Sequence, residues 1–529
     1  MDLHSAGHRR GVVCAPHFGA VETGRQILAE GGNALEAMVA MAASIAAVYP
    51  HMNHIGGDGF WLVRLPSGRV RAVMAAGPAG RQAKPELYRG HETIPTRGPL
   101  AALTVPGAIG GWMLALELSK AAGGKLPLGV LLTPAVAQAR DGYATTRSQA
   151  RLTQAHLAEL KDVPGFAAAF LIDGKPPAVG AKLKQAALAE TLDQLAHAGL
   201  DDFYRGDVGR EIAADLERIG SPVTRHDLSR YHAYLAEPLR VDLASGTIYN
   251  TDAPTQGVVS LMILALFARL GVTEAEGFDH IHGLVEATKR ALRVRDRVVT
   301  DPNYLAHPLD RCLEEPFIAG EAMKIDRNKA ARWPLAAGAG DTIWMGAADS
   351  SGLVVSYIQS LYWEFGSGCV LPATGVLMQN RGASFSLAAG SLNYLAPGRL
   401  PFHTLNPALA VLKDGRIMAY GCMGGDGQPQ TQGAVFTRYV DFRDPLDKAL
   451  DRPRWVLGRT WGAARTALRL ENRIEGNVID RLAAAGHDIE VLPEPYSDVM
   501  GHSGAAIRHP DGSCEAAHDP RADGGAAGL

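Results

Sequence analysis

The sequence predicts an α+β fold in which two β-sheets stack face to face and helices cover both outer surfaces. Three observations lead there. A chain of 529 residues with 47% hydrophobic and 20% charged residues is globular in composition and too long for one ordinary core. Residues 10 to about 340 mix alanine-rich helical segments with short strands. Beyond residue 340 the chain becomes dense in strands that are apolar on both faces, and such strands need cover on both sides. The economical arrangement is a helix–sheet–sheet–helix sandwich of four layers.

The elements follow in order. AMVAMAASIAAVYP, residues 37–50, is the longest uncharged stretch, yet it falls short of the about 20 strongly apolar residues a bilayer crossing needs. It reads as a buried helix, capped by Asn33 with Glu36 three residues on and closed by Pro50. FWLVRLPSGRVRAVMAA (60–76) reads as a hairpin around Pro-Ser-Gly. VLLTPAVAQARDGY (130–143) and AALAETLDQLAHAGLDDFY (186–204) carry helical spacing with glycine stops. EGFDHIHGLVEATKRALRVRDRV (276–298) reads as a long helix whose basic end suits the helix dipole. KIDRNKAARWPLAAGAG (324–340) turns polar and then Gly/Ala-rich, as an exposed, mobile linker would. After it, DTIWMGAAD and LVVSYIQSLYW flank the turn Ser350-Ser351-Gly352. GVLMQ (375–379) reads as a further strand, and ALAVLKDGRIMAYG (408–421) as a hairpin turning at Lys413-Asp414-Gly415. The chain closes on a glycine-rich tail, DPRADGGAAGL.

Composition excludes several classes of function. A formal charge of −3 leaves no electrostatic footprint for nucleic acid. The five cysteines are scattered, without a CxxC, which argues against a disulfide framework and fits a reducing compartment. MDLHSAGHRRGVV has no apolar core long enough for a signal peptide, so a cytoplasmic location is expected, with no membrane partner. No metal or other cofactor is expected. His51, His54, His280 and His282 lack a carboxylate or cysteine partner set in the sequence, and His280 and His282 would project from different faces of one helix. GGDG and MGGDGQ lack the Lys-Ser ending of a phosphate loop.

Asp341-Thr342 stands at the mouth of the most hydrophobic hairpin, and locally Thr342 is an ordinary β-former with a capping hydroxyl. The rest of the chain changes that reading. GVVCAPHFGAVETGRQILAEGGNALEAMVA (11–40), PHMNHIGGDGFWLV (50–63), VPGAIGGW (105–112), FGSG (365–368) and CMGGDGQPQ (422–430) together resemble the gamma-glutamyltransferase family. Its members are N-terminal-nucleophile hydrolases with a four-layer αββα sandwich, made as a precursor that cuts itself in two. The resemblance runs over nearly the whole chain and implies a large chain, 1–341, and a small chain, 342–529, together one αββα unit, with a dimer of such pairs possible. It places the scissile bond at Asp341-Thr342 and makes Thr342 the nucleophile, with Asp349 seven residues on at the turn. Once cleaved, Thr342 owns a free α-amine, a base of reference pKa about 8 beside its own hydroxyl. The resemblance puts Gly424 and Gly425 at the oxyanion site and Ser360 where a hydroxyl bonds the nucleophile. Gly56, Gly57 and Gly59 let a loop pass close by.

Departures from the family pattern bear on substrate. The arginine that grips a gamma-glutamyl carboxylate falls on VMAAGP (73–78), where Met74, Ala75 and Ala76 stand. The acid that holds its amine falls on Ala383 and Ser384, and a serine pair on His403 and Thr404. The segment Phe385 to Pro401 is shorter than in members with a lid loop, which implies a more open pocket. DTIWMG, IQSLYWEFGSG, QNRGASFSL, PFHTLNPA and MGGDGQPQTQ resemble instead a branch of the family that hydrolyses oxamate to oxalate and ammonia in purine and allantoin breakdown. So small an amide needs one compact anion clamp close to Thr342. Arg381 and His403 are the candidates, with Thr404 beside them and Tyr362 or Gln359 assisting. A gamma-glutamyl hydrolase or transferase, a cephalosporin-type acylase, and a silent uncleaved precursor are the alternatives.

Overall fold

The computed structural model describes residues 3–333, 341–458 and 467–529. Fourteen strands build its two large sheets. In chain order they are β1 (His4–His8), β2 (Gly11–Ala15), β3 (Asp58–Arg64), β4 (Val70–Ala75), β5 (Tyr234–Ala236), β6 (Leu239–Asp242), β7 (Gly246–Asn250), β8 (Asp341–Asp349), β9 (Val354–Tyr362), β10 (Ala408–Leu412), β11 (Ile417–Cys422), β12 (Ser503–Arg508), β13 (Cys514–His518) and β14 (Gly525–Gly528). One sheet runs β14-β2-β8-β9-β3-β4-β5 and the other β1-β13-β12-β11-β10-β7-β6. Every neighbouring pair is antiparallel.

Alternation along the strands divides three cores. Phe60, Leu62, Trp344, Ile358, Leu409 and Ala506 point between the sheets. The opposite face of the first sheet, with Trp61, Val63, Met345 and Tyr357, packs on helices α1 (Phe18–Ala29), α2 (Ala34–Val48), α3 (Ala108–Ala121), α4 (Leu128–Asp141) and α5 (Ala186–Ala198). The outer face of the second sheet, with Ile248, Ala410 and Met418, packs on α6 (Gly257–Ala268), α7 (Phe278–Val298) and α8 (Gly427–Phe436). The fold is therefore the four-layer αββα sandwich of the N-terminal-nucleophile hydrolases. Burying both faces of each sheet explains why the strands lack clean polar alternation.

The helix read over 37–50 begins at Ala34, and both bonds of its capping box are present: Asn33 Oδ1 accepts from Glu36 N, while Glu36 Oε2 accepts from Asn33 N. Among the described residues no helix is long and apolar enough to cross a membrane. One local expectation fails. GVLMQ (375–379) joins no sheet and makes isolated bridges from Met378 to Gly56 and Leu377 to Val370. A run of apolar residues too short to pair along its length packs as a loop instead. The glycine-rich tail is ordered into β14, an edge strand on β2. Of the linker expected at 324–340, residues 334–340 lie outside the described residues; 326–329 are exposed.

The metal reading needs a correction. His280 and His282 do diverge, His280 toward Thr437 and His282 toward His487. But His282, Glu286 one turn on, and His487 from a distant segment bring three potential ligand atoms within 4.8 Å of one another. Sequence spacing cannot show a partner about 200 residues away. The three are hydrogen-bonded: Glu286 to Lys289 and Ala331 N, His282 to His487 and Asp326 O. They clasp the segment that leads to 334–340.

Candidate active site

Thr342 enters β8 at an irregularity in the ladder. Asp341 pairs with Tyr362 and Ile343 with Gln359, so Ser360 and Leu361 both stand opposite Thr342. This is a bulge, which bends the strand and re-aims its side chains. Ser360 Oγ lies 3.2 Å from Thr342 Oγ1 and accepts the Tyr362 N–H at 2.7 Å. Tyr362 itself has φ +86°, a strained conformation for a bulky residue. On the other side, Ser360 pairs with Asp58 of β3. Antiparallel partners share a face, so Thr342, Ser360 and Asp58 line up across three strands at one end of the inter-sheet layer. Gly57 is required beside them: a Cβ there would lie 2.1 Å from Ser360 O.

Asp58 is the hub of the site, and nothing in the sequence reading singled it out. Its Oδ1 accepts from Gly77 N and Gly107 N at 3.0 Å and from Gln379 Nε2 at 3.1 Å. Its Oδ2 faces His403 Nε2 at 3.0 Å. Burial pushes the carboxyl up to about 7, against the pull of those amide donors and of Arg381. Burial, and then the charge of Arg381, hold His403 well below the usual imidazole range, so the ring is neutral. An acid set inside a glycine run, HIGGDGF, is the signal that could have exposed Asp58.

Arg381 opens the short turn Arg381–Ser384. It is 1% exposed, and burial lowers it to about 10, which leaves it a cation at neutral pH. Its guanidinium lies 3.8 Å from the centre of the Tyr362 ring and its Nη1 donates to Thr404 Oγ1 at 3.4 Å. Among the described residues Arg381 Nε, Arg381 Nη2 and His403 Nδ1 are buried without a hydrogen-bond partner. Arg381, His403, Thr404 and Tyr362 therefore come together next to Thr342. Gln359 does not join them. One residue away from Ser360, it faces the helical layer, donating to Asn53 Oδ1 at 2.6 Å and accepting from Trp112 Nε1 at 3.3 Å.

The glycine pair comes from the second sheet. β11 ends at Cys422, and Gly424 and Gly425 take φ +110° and +51° before α8 begins at Gly427. Only glycine takes such a pair of left-handed conformations readily. Gln256 ties this loop to the clamp, its Nε2 donating to Gly425 O at 2.9 Å and Thr404 O at 2.7 Å. Arg295 in turn donates to Gln256 Oε1 at 2.9 Å and is paired with buried Asp426. The basic end of α7 thus includes a buried arginine braced on the glycine loop, not a surface charge on a helix dipole. Gln256, Arg295 and Asp426 carried no local sequence signal.

Asp349 sits at the far end of β8. It caps the hairpin turn, accepting from Ser351 N at 2.9 Å, and the start of α2, accepting from Ala34 N at 2.8 Å. Met74 points into the inter-sheet core. Thr342 is 0% exposed. The short segment after Phe385 is drawn down by Arg399, which donates to Tyr394 O at 2.8 Å, Leu392 O at 2.6 Å and Thr300 Oγ1 at 2.8 Å. Phe385 and Leu395 pack with Tyr88 and Leu103 beneath it.

The chain is similar to known proteins in sequence and in fold. The gamma-glutamyltranspeptidase family model matches residues 20–529. The chain is 49% identical over 529 residues to the oxamate amidohydrolase proenzyme of Klebsiella pneumoniae subsp. pneumoniae, covering all of both chains. It is 37% identical over 522 residues to a glutathione hydrolase-like proenzyme of Bacillus subtilis, covering 98% of each. Among solved structures, cephalosporin acylase from Bacillus halodurans matches with a TM-score of 0.90 and 30% identity, over 99% of this chain and 97% of the acylase.

Proposed function

We propose, starting from the fact that the chain belongs to the gamma-glutamyltranspeptidase family, that it is a self-processing amidohydrolase that hydrolyses oxamate or a close relative. The observation that carries the substrate class is Arg381: a buried cation, stacked on Tyr362 beside Thr342, with two donors unused. A guanidinium with free donors is a site for a carboxylate. Its closeness to Thr342 fits a carboxylate bonded directly to the scissile carbonyl, as in oxamate.

In the precursor, Thr342 Oγ1 attacks the Asp341 carbonyl, and water hydrolyses the resulting ester to give chains 1–341 and 342–529. Cleavage does not separate them. β8 and β9 of the small chain lie between β2 and β3 of the large one, and β13 to β10 lie between β1 and β7. In turnover the new α-amine takes the Thr342 hydroxyl proton as the oxygen attacks the amide carbon. The N–H groups of Gly424 and Gly425 hold the oxyanion, a type of contact worth about 3 kcal/mol per donor. The C–N bond then breaks, the amine returns its proton to nitrogen, and ammonia leaves an oxalyl ester on Thr342. Water attacks that ester and releases oxalate.

Two measurements test the proposal together. Denaturing electrophoresis with N-terminal sequencing should give a small chain beginning at Thr342. The cleaved protein should release ammonia from oxamate, and Thr342→Ala should lose both cleavage and turnover. Glutamate release from glutathione without ammonia from oxamate would favour a gamma-glutamyl hydrolase instead. A single uncleaved chain would point to a silent precursor.

A further inference from the structure

The hydrogen bonds of Asp58 determine which way His403 can act. Three N–H groups, from Gly77, Gly107 and Gln379, all converge on Oδ1. Oδ2 is left to face His403 Nε2. Above about pH 7, where Asp58 is ionised, both of its oxygens are acceptors, so the proton between the two residues belongs to Nε2. The other ring nitrogen, Nδ1, then carries a lone pair. It is buried and unpartnered, beside the equally unpartnered Arg381 nitrogens.

We infer that His403 is a specificity-determining residue whose Nδ1 lone pair accepts an N–H of the substrate's primary amide, and that Asp58 is the positioning residue that fixes this polarity. The inference rests on the reading of the site as one for a small α-carboxy amide. Arg381 takes the carboxylate, and the acceptor at His403 tells –NH2 from –O⁻ at the far end of the same skeleton. Oxamate meets Nδ1 with a donor. Oxalate, the product, meets it with a second acceptor, so the pocket that welcomes the substrate weakens its grip once the amide is gone. A site that hydrogen-bonds one group discriminates strongly against an isostere that leaves its own buried group unpaired.

The groups facing the pair are few. Arg381 is the cation beside both, and Tyr204, Tyr231 and Tyr357 lie within electrostatic reach of Asp58 as phenols held neutral, their pKa values raised by burial. Protonating Asp58 removes the acceptor that keeps the proton on Nε2, so discrimination should fade on the acid side.

Asp58→Asn reverses the polarity with almost no change in shape. The three amide donors keep the asparagine oxygen at the Oδ1 position, so its NH2 faces His403 Nε2. Nε2 must then accept, and the proton moves to Nδ1. Competition among oxamate, pyruvate and oxalate, with NH2, CH3 and O⁻ at the discriminating position, reads the change in the cleaved enzyme. The ratio of oxalate to oxamate affinity should rise at least about tenfold in the variant. Loss of turnover with that ratio unchanged would overturn the inference and leave Asp58 a structural residue. Should Asp58→Asn fail to fold or cleave, the nitrogen chemical shifts of His403 in the unaltered protein decide, assigned by their loss in His403→Gln. Protonated Nε2 with bare Nδ1 supports the inference; protonated Nδ1 sinks it. An unaltered enzyme that releases no ammonia from oxamate would remove the substrate reading, while the tautomer would still be decided by those shifts.

Discussion

Two buried arginines show how a fully paired charge differs from one with donors to spare. Arg521 is saturated. Its Nε and Nη2 each donate to Glu471 at 2.7 Å and its Nη1 donates to Asp519 at 3.0 Å. Those carboxylates push its pKa up. Arg381 is buried at least as deeply, yet two of its nitrogens donate to nothing and burial pulls its pKa down to about 10. Burying a cation is costly unless partners replace its water. At Arg521 the fold supplies the partners; at Arg381 it leaves two nitrogens without them, which is the basis of the proposed carboxylate site.

Exchanging each for methionine should separate the roles most sharply. Arg381→Met should lower kcat/KM for oxamate by about 10³-fold or more while the melting temperature holds or rises, since an uncompensated buried charge is removed. Arg521→Met should do the reverse, costing about 3–5 kcal/mol of folding stability by stranding Glu471. The readouts are steady-state ammonia release and thermal unfolding of the cleaved protein. A large fall in stability for Arg381→Met would erase the distinction.

A smaller effect is expected at the joint between clamp and glycine loop. Gln256→Leu removes the bonds to Gly425 O and Thr404 O but leaves Arg381 in place. kcat should fall about 10-fold to 100-fold with little change in KM if, as proposed, the loop acts on the oxyanion and not on the bound carboxylate. A rise in KM with kcat intact would mean that Gln256 serves the clamp instead.

These residues also show where the sequence stops being legible. Helix α2 with its cap, the hairpins around Pro66-Ser67-Gly68 and Asp414-Gly415, and the long helix α7 are local, and their periodicity and turn residues announce them. The GVLMQ segment misled because apolar β-formers fit a packed loop as well as a strand, and its partners come from elsewhere in the chain. Around Thr342, the motifs named residues that the structure brings together, but the partners that set the electrostatics there are distant. Asp58 meets His403 across 345 positions and Gln256 meets Gly425 across 169. No spacing rule spans such separations. Gln359 shows the complementary failure: one residue of register sends it to the other face of the sheet, away from the chemistry.

The smallest effect, and the one that most directly sets the two charged regions against each other, lies in the pH dependence of stability. An unfolded aspartate titrates near about 4. Folded Asp58 is raised to about 7, so the native state holds its proton more tightly than the unfolded chain does. Its contribution to stability is complete below about 4 and is lost as pH climbs through about 7. Asp519 is held well below its usual value by Arg454 and Arg521, against its burial. Its contribution is present above about 4 and is lost as pH falls through the depressed value. Between pH 5 and 8 the Asp519 term is therefore flat, while the Asp58 term declines. The melting temperature of Asp58→Asn should change less over that interval than that of the unaltered protein, by a few degrees. Equal slopes would mean that Asp58 is not the group titrating there. If the slope flattens in Asp58→Asn, the same carboxylate that positions His403 also weakens the fold at the pH where the enzyme would work, a cost the fully paired Asp519 does not carry.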